Sequence, residues 1–407
     1  MIARKIPREL WDNVIDSMRP HSIASLKDLS LVCSAFTPAA QRVLFHKVIV
    51  ADRRRTSRGT KIPAYILARR LVDLILSPSS SHLVSYIREL HVASDNSDCY
   101  AILGTIPWNC LRILTLEKIS RIPDPAKSSV QNLVRTPSLR RLEISVAYDE
   151  SEKEVLERLP WILESCAPNL DSLALLGCVD REGSIQLPPR PDFPIKLCTL
   201  SLTSCKGLGP LLLRIFDLNS LQNLQCVNSW THNVESLLEN LGSSSIEHII
   251  VSPEDPELQK LDLCTTFPAL TAITATCLPC LTTPRPVPGH VARGFPPRQR
   301  PSSFNAMLDG LSQHSINNIS RIIFRTDGYR FEAQSLALWH KKSIAEFEDL
   351  ALTQHAMTLR RVEVEVNIEN YYESDEVCEQ LYDVVRTAFP RLHEKGLLFV
   401  YLLDGYA

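Results

Sequence analysis

The chain lacks the short motifs that mark the common enzyme active sites. Neither GxxxxGK[ST] nor GxGxxG is present to hold a phosphate, and neither HExxH nor GxSxG occurs. The eleven histidines include no His-x3-His pair, and Cys277 and Cys280 form a CxxC without a second pair at zinc-finger spacing. These spacings predict no catalytic residue, no metal site and no cofactor. A cysteine hydrolase assembled from residues distant in sequence remains an alternative, which a reactive thiol of low pKa would reveal.

Charge excess and long apolar runs are missing as well. The formal net charge is −2, so the sequence predicts no bulk attraction to nucleic acid or to an anionic membrane. No apolar run approaches the roughly 18 residues that a spanning helix needs. Residues 1–10 have no apolar core of a secretory signal, so we expect the twelve cysteines to be reduced thiols in the cytoplasm or nucleus.

What the chain does contain is a recurring motif of three apolar residues, spaced as apolar-x-x-apolar-x-apolar. The first eight copies begin 24 to 31 residues apart, and three more follow at longer intervals. The copies are Ile87-Leu90-Val92, Leu111-Leu114-Leu116, Leu139-Leu142-Ile144, Leu170-Leu173-Leu175, Leu197-Leu200-Leu202, Leu221-Leu224-Cys226, Ile246-Ile249-Val251, Leu270-Ile273-Ala275, Ile319-Ile322-Phe324, Leu359-Val362-Val364 and Leu397-Val400-Leu402. This period predicts an α/β leucine-rich-repeat solenoid, a horseshoe with its strands on the concave side.

The segments between copies carry their own signals. Helices are predicted over 63–77, 152–165, 332–354 and 373–389, and residues 279–301, with seven prolines, are predicted to form an extended loop. Cys178 and Cys205 occupy the small-residue position that ends the motif, where a structural role is expected. The first members of the copies at Leu270 and Ile319 are 49 residues apart, about two repeats, which leaves room for one degenerate repeat and leaves the exact repeat count there open.

A compact helical block of different character precedes the repeats. Residues 1–50 show three short amphipathic helices, the third opened by Thr37-Pro38 and reaching about Phe45. Residues 51–82 then form a linker with a connecting helix, and the solenoid is expected to start near residue 83 and to run to 407.

The block from Ile6 to Val48 resembles an F-box, in the F-box-like form abundant in fungal proteins. The resemblance rests on three segments: Ile6-Pro7-Arg8-Glu9-Leu10-Trp11 with Val14-Ile15, then Ser30-Leu31-Val32-Cys33, then Leu44-Phe45. F-box proteins commonly combine this domain with leucine-rich repeats. The resemblance therefore implies a substrate receptor of a Skp–cullin–F-box ubiquitin ligase, which is not itself an enzyme because other subunits transfer ubiquitin.

Two sets of candidate site residues follow. The resemblance implies an adaptor-binding set on the helical block: Ile6, Pro7, Leu10, Trp11, Val14, Ile15, Leu29 and Val32. Strand alternation predicts a target-binding set on the concave side: Glu89, His91, Arg141, Glu143, Asn223, Gln225, His248, Arg321, Arg361 and Glu363. Charges of both signs in the second set favour a protein target over nucleic acid. The alternative is a plain repeat scaffold whose N-terminal helices only cap the solenoid.

Overall fold

The structure is a computed structural model of the chain, and it describes most of the repeat region. The described residues are 26–28, 37–54, 61–146, 152–180, 183–227, 237, 245–251, 267–277, 319–327, 341–353, 358–367 and 375–403. Two compact units are present. The first unit comprises Met1–Cys198 and Gly207–Leu218, and the second comprises Thr199–Lys206 and Asn219–Ala407.

Short strands recur through the described residues. In chain order they are β1 Lys47–Ala51, β2 Arg53–Arg54, β3 Lys61–Ile62, β4 Glu89–Ala93, β5 Ile113–Glu117, β6 Arg141–Ser145, β7 Ser172–Leu176, β8 Ile195–Lys196, β9 Thr199–Thr203, β10 Phe216–Asp217, β11 Asn223–Val227, β12 His248–Val251, β13 Ala272–Cys277, β14 Arg321–Asp327, β15 Arg361–Asn367 and β16 Leu398–Leu403. Each of the eleven predicted motif copies yields one of these strands, β4 to β7, β9 and β11 to β16.

Helices connect many of these strands. They are α1 Thr37–Leu44, α2 Ala64–Leu76, α3 Ser97–Leu103, α4 Lys127–Val134, α5 Glu152–Glu164, α6 Gly209–Ile215, α7 Lys341–Thr353, α8 Asp375–Ala388 and α9 Pro390–Glu394, with 3₁₀ turns at Ser81–Tyr86, Ile119–Arg121 and Asp124–Ala126. The predicted third N-terminal helix and the predicted helices over 63–77, 152–165 and 373–389 correspond to α1, α2, α5 and α8. No helix within the described residues is long and apolar enough to cross a membrane.

In the first unit, β1, β4, β5, β6 and β7 pair in that order, all in parallel. Parallel neighbours need a crossover connection, which the helices and 3₁₀ turns supply. In the second unit, β9, β11, β12, β13, β14, β15 and β16 form a parallel sheet in the same sequential manner. Sequential parallel pairing with a helix or turn per repeat is the mixed α/β architecture that the leucine-rich motif predicts.

The motif positions form the core because they alternate along each strand. In β7, Leu173 and Leu175 are buried, whereas Ser172 and Ala174 between them are partly exposed. The register places Leu142 opposite Leu173, so the apolar positions of neighbouring strands lie side by side. The predicted strand register is confirmed, and the other side of each sheet is left to the spacer residues.

Buried cysteines close the turns that follow two of these strands. The Cys178 thiol lies 3.8 Å from the carbonyl oxygen of Leu176, and the Cys205 thiol lies 3.3 Å from that of Thr203. Both cysteine side chains are buried. The predicted structural role of these two positions is confirmed: a small side chain fits beneath the turn where a larger one would not.

The helix side of the second unit has a compact aromatic core. Phe324 of β14 packs against Phe347 of α7 and Phe389, with ring centroids 5.7 and 6.1 Å away. Beside them, buried Glu348 accepts hydrogen bonds from the backbone N–H groups of Arg391 and Leu392 in the first turn of α9. These bonds satisfy donors that a helix start leaves without intrahelical partners.

The predicted start of the solenoid was wrong. The repeat sheet starts at Lys47 and not near residue 83, because β1 pairs with β4 over its whole length. Phe45, Val48 and Val50 form a further motif copy, 42 residues before the one at Ile87 and therefore outside the short period. The spacing left open whether a degenerate repeat lies between Leu270 and Ile319; β13 pairs directly with β14, so no strand separates them in the sheet. The predicted proline-rich loop over 279–301 lies outside the described residues.

Candidate functional site

The candidate site is the face of each sheet that carries the spacer residues, hereafter the open face. It consists of the first, third and fifth side chains of the repeat strands, or the second and fourth on β16, which point away from the buried motif positions. All ten residues of the predicted target-binding set lie on this face, at the first or third position of a strand: Glu89 and His91 on β4, Arg141 and Glu143 on β6, Asn223 and Gln225 on β11, His248 on β12, Arg321 on β14, and Arg361 and Glu363 on β15.

On the open face of the first unit, Glu89 is surrounded by basic groups. Its two carboxylate oxygens lie 3.3 Å from His46 Nε2 and 3.8 Å from Lys47 Nζ. A second pair of histidine and glutamate joins β4 to β5, where His91 Nε2 lies 3.1 Å from Glu117 Oε1. The Glu89 and Glu117 side chains are 28% and 38% exposed, so both carboxylates remain within reach of solvent.

The third acidic group of this face is Glu143. Arg141, two residues earlier on the same strand, places its Nε 2.7 Å from Glu143 Oε1. Thr115 on β5 donates a hydrogen bond of 2.9 Å to the other carboxylate oxygen. Glu143 is 32% exposed, so a partner at this position would meet both the acid and the base.

On the open face of the second unit, two arginines converge on one carboxylate. Arg321 donates from Nε and Nη2 to the two oxygens of Glu363, at 2.6 and 2.7 Å. Arg361 Nε lies 2.7 Å from the same Oε1, although its N–H is not aligned as a hydrogen bond. The Glu363 side chain is only 1% exposed, so its carboxylate is covered, and a partner would meet the arginines instead.

Sequence reasoning missed the residues that complete this region. Arg325 Nε donates to Glu365 Oε2 at 2.8 Å, one step further along β14 and β15. On β16, the rings of Phe399 and Tyr401 lie 4.4 and 5.5 Å from the Arg361 guanidinium carbon. Strand alternation could have identified Arg325, because the residue directly after the last motif position, here Phe324, also lies on the open face.

His248 and Asn223 lie on the central strands of the same face. His248 Nε2 is 2.8 Å from Thr274 Oγ1, and Asn223 Nδ2 is 3.5 Å from Thr199 Oγ1. Burial lowers the pKa of His248 below its usual value, and the positive charges of Arg321 and Arg325 lower it further. Gln225 is half-buried. These contacts make β11 and β12 a neutral polar stretch beside the arginines at neutral pH.

Two of the described cysteines have thiols that are far from activated. Burial raises the pKa of Cys99 to about 11 and raises the pKa of Cys166 as well. A thiol nucleophile needs a lowered pKa, so these two residues are packing groups. Within the described ranges, no group of three or more His, Cys, Asp or Glu side chains is placed to hold a metal ion.

The predicted adaptor-binding residues lie outside the described residues: Ile6, Pro7, Leu10, Trp11, Val14, Ile15, Leu29 and Val32. Two described parts of the helical block pack together. Helical residue Leu26 is buried with Ala39 of α1, and Val43 and Leu44 pack against them.

Comparison with known proteins leaves the family open. No protein-family model matches the chain, and no curated protein matches it. Among solved structures, one similar chain is the leucine-rich repeat-containing protein LegL7 from Legionella pneumophila, at 12% identity and a TM-score of 0.38. That match covers 77% of this chain and 87% of LegL7. A TM-score this low carries no argument, so the repeat architecture rests on the strand order and the burial of the motif residues.

Proposed function

We propose that this chain is the substrate-recognition subunit of a Skp–cullin–F-box ubiquitin ligase. Its N-terminal helices dock on a Skp-family adaptor, and through it on a cullin, while the repeats hold a target protein. The observation that carries the binding role is the open face. Adjacent strands, about 4.8 Å apart, expose polar and charged side chains at regular intervals. Such a surface suits binding to another protein.

The adaptor half of the proposal rests on the N-terminal sequence pattern. The apolar residues Leu10, Trp11, Val14 and Ile15 recur at helical spacing, as in the first helix of the F-box-like family. Ubiquitin transfer belongs to other subunits of such ligases, so this chain would need no catalytic residue. The raised pKa values of Cys99 and Cys166 are consistent with this, because neither thiol is activated as a nucleophile.

One observation favours the alternative of a repeat scaffold with a helical cap. Helix α1 runs within two residues into β1, the first strand of the sheet, and His82 Nε2 contacts Gln41 Oε1 of that helix at 3.0 Å. A helix so closely joined to the first repeat would shield the end of the sheet, as terminal caps do in solenoids. Capping and adaptor docking are compatible if they use different faces of the helical block.

Co-purification of the full-length chain with a Skp-family adaptor tests the proposal. An apolar anchor at the centre of an interface commonly contributes about 2 kcal/mol or more, roughly thirtyfold in affinity. We therefore expect the double substitution Leu10→Ala, Ile15→Ala to abolish co-purification while circular dichroism stays unchanged. Leu74→Ala, on the exposed side of α2, is the matched control and should retain the adaptor. Full adaptor binding by the double variant would reject the F-box assignment and favour the scaffold.

A further inference from the structure

The open face of the second unit exposes mainly positive charge to solvent, although its numbers of acidic and basic residues nearly balance. We define the arginine patch as Arg321, Arg325 and Arg361, whose side chains are 44%, 40% and 40% exposed. Their acidic partners Glu363 and Glu365 are 1% and 11% exposed. At these five positions, an approaching molecule therefore meets guanidinium groups and not carboxylates.

The buried acids fix the arginines without using all of their donors. A guanidinium has five N–H groups. Arg321 uses its Nε and one Nη2 N–H on Glu363, and Arg325 approaches Glu365 with the same two nitrogens. The remaining N–H groups make no hydrogen bond to the part of the chain that the structure describes, so an incoming acceptor can bind them. Because the fork is already held in place, a ligand would not have to order these long side chains when it binds.

Arg361 is held by a different set of contacts. Its guanidinium stacks over the rings of Phe399 and Tyr401, and Phe399 is 37% exposed. An arginine stacked on aromatic rings keeps its edge free for hydrogen bonds to a carboxylate. The exposed ring also offers an apolar contact beside the charge, a combination that suits a polypeptide more than a free anion.

The spacing of the patch resembles that of an extended chain. Arg321 and Arg361 are directly opposite on β14 and β15, and Arg325 follows four residues along β14. At about 3.3 Å per residue, the two ends of the patch are about 13 Å apart. Two acidic side chains four residues apart on an extended segment have the same separation and point to the same side.

We propose that the arginine patch binds an extended acidic segment of the target protein, with carboxylates four residues apart at Arg321/Arg361 and at Arg325. This inference rests on the proposed function, since it names the kind of target that the repeats would hold. Bidentate pairing of a guanidinium with a carboxylate supplies both the attraction and the orientation. A nucleic acid is a poorer fit, because Glu363 and Glu365 lie beneath the arginines and the chain is slightly acidic overall.

The test uses the full-length protein and a fluorescein-labelled peptide with aspartates four residues apart, measured by fluorescence anisotropy. We expect the wild-type chain to bind it about tenfold more tightly than the peptide in which asparagine replaces both aspartates. Arg325→Gln and Arg361→Gln should each weaken binding of the aspartate peptide about fivefold or more. Arg361→Lys, which keeps the charge but loses the fork, should fall between wild type and Arg361→Gln.

Arg386→Gln is the matched control, because it removes the same charge from an exposed side chain on α8 of the same unit. It should leave peptide binding unchanged. Equal affinity for the aspartate and asparagine peptides, an equal loss in the Arg386 variant, binding only of a phosphoserine peptide, or preference for a single-stranded RNA would each overturn the inference.

Adaptor co-purification, measured on the same protein as peptide binding, distinguishes failure of this inference from failure of the proposed function. If the wild-type chain retains the adaptor but ignores the aspartate peptide, the acidic-segment inference fails and the F-box assignment stands. If it binds the peptide through the arginine patch but never retains the adaptor, the F-box assignment fails and the acidic-segment inference stands for a repeat scaffold.

Discussion

The open faces of the two units use similar residues but expose them differently. In the first unit, the acids Glu89, Glu117 and Glu143 are 28% to 38% exposed beside their basic partners. In the second unit, Glu363 and Glu365 are nearly covered while the arginines around them stay exposed. The sign that a partner meets is therefore decided by which member of each ion pair is buried, and not by how many charges of each sign the face carries.

At Glu363, the difference follows the number of arginines at the acid, because a diagonal pair by itself leaves Glu117 beside His91 38% exposed. Arg141 and Glu143 are on the same strand, where both side chains can extend toward water. Arg321 instead reaches diagonally across to Glu363 on the adjacent strand, and Arg361 approaches the same carboxylate from beside it. Diagonal neighbours in a sheet lie within reach of long side chains. Two arginines can thus enclose one carboxylate, which places the acid beneath and the bases above.

The largest expected effect should be the same in both units, because each has fully buried leucines at the same motif position. Leu173 in the first unit and Leu200 in the second are fully buried motif residues. Leu→Ala at either site should cost about 2–5 kcal/mol of unfolding free energy through lost transfer energy and a cavity. Ser172→Ala and Thr199→Ala, one residue earlier, should stay within about 0.5 kcal/mol.

Urea denaturation followed by circular dichroism measures all four substitutions. Each leucine variant has its neighbour as a control on the same strand, so a general sensitivity of that strand would be visible. Equal losses for Leu173→Ala and Ser172→Ala would contradict the assignment of β7 side chains to core and open face. A large loss in one unit alone would mean that the two core sides are not equivalent.

The core side was the part most open to prediction from sequence. A strand with one buried face needs apolar residues at every second position, so the spacing of Leu170, Leu173 and Leu175 by itself predicts a strand there. The strand at Val48 and Val50 was missed because its motif copy lies too far from the next one for a regular period. The repeat count before Ile319 stayed open because spacing alone does not distinguish a missing strand from a long connection.

The open face was predictable only in part. Alternation places Glu363 on the correct side of β15, but its burial depends on Arg321, 42 residues earlier in the chain. Such a contact follows from the register of β14 against β15, and that register is fixed by the core residues rather than by the charges. The identity of the exposed charge is therefore a property of the paired strands, which no single motif copy contains.

Neutralising one acid in each unit tests directly whether a covered carboxylate stabilises the fold more than an exposed one. Glu363→Gln removes a buried carboxylate that two arginines contact, and we expect a loss of about 1–3 kcal/mol. The loss stays below that of a fully buried ion pair because both guanidiniums can turn toward water. Glu143→Gln removes an exposed partner of Arg141, and such pairs contribute about 0–1 kcal/mol.

The same urea unfolding experiment distinguishes the two acids. Raising the salt concentration should reduce the effect of Glu143→Gln more than that of Glu363→Gln, because exposed pairs are screened and covered ones are not. If the two variants lose the same small amount of stability, the covered Glu363 contributes no more to the free energy of unfolding than the exposed Glu143. The two units would then differ in side-chain exposure but not in energy.

The smallest expected effect concerns pH and is specific to the second unit. The folded-state pKa of His248 is lowered, so the unfolded chain takes up this proton at a higher pH than the folded chain does. The stability contribution of neutral His248 is thus present above the ordinary histidine pKa near 6.5 and is lost as pH falls through the lowered value. The effect should not exceed about 1 kcal/mol, since the ring is only part-buried and solvent still screens it.

Titrating the His248 ring by NMR sharpens this prediction, because Arg325 is one cause of the lowered pKa. Arg325→Gln removes a nearby positive charge and leaves the negative charge of Glu365 uncompensated, and both changes favour the protonated ring. The pKa of His248 should therefore rise in this variant and stay unchanged in Arg386→Gln. An unchanged titration in Arg325→Gln would show that the charge of this arginine does not reach β12, and that burial and Arg321 lower the His248 pKa without it.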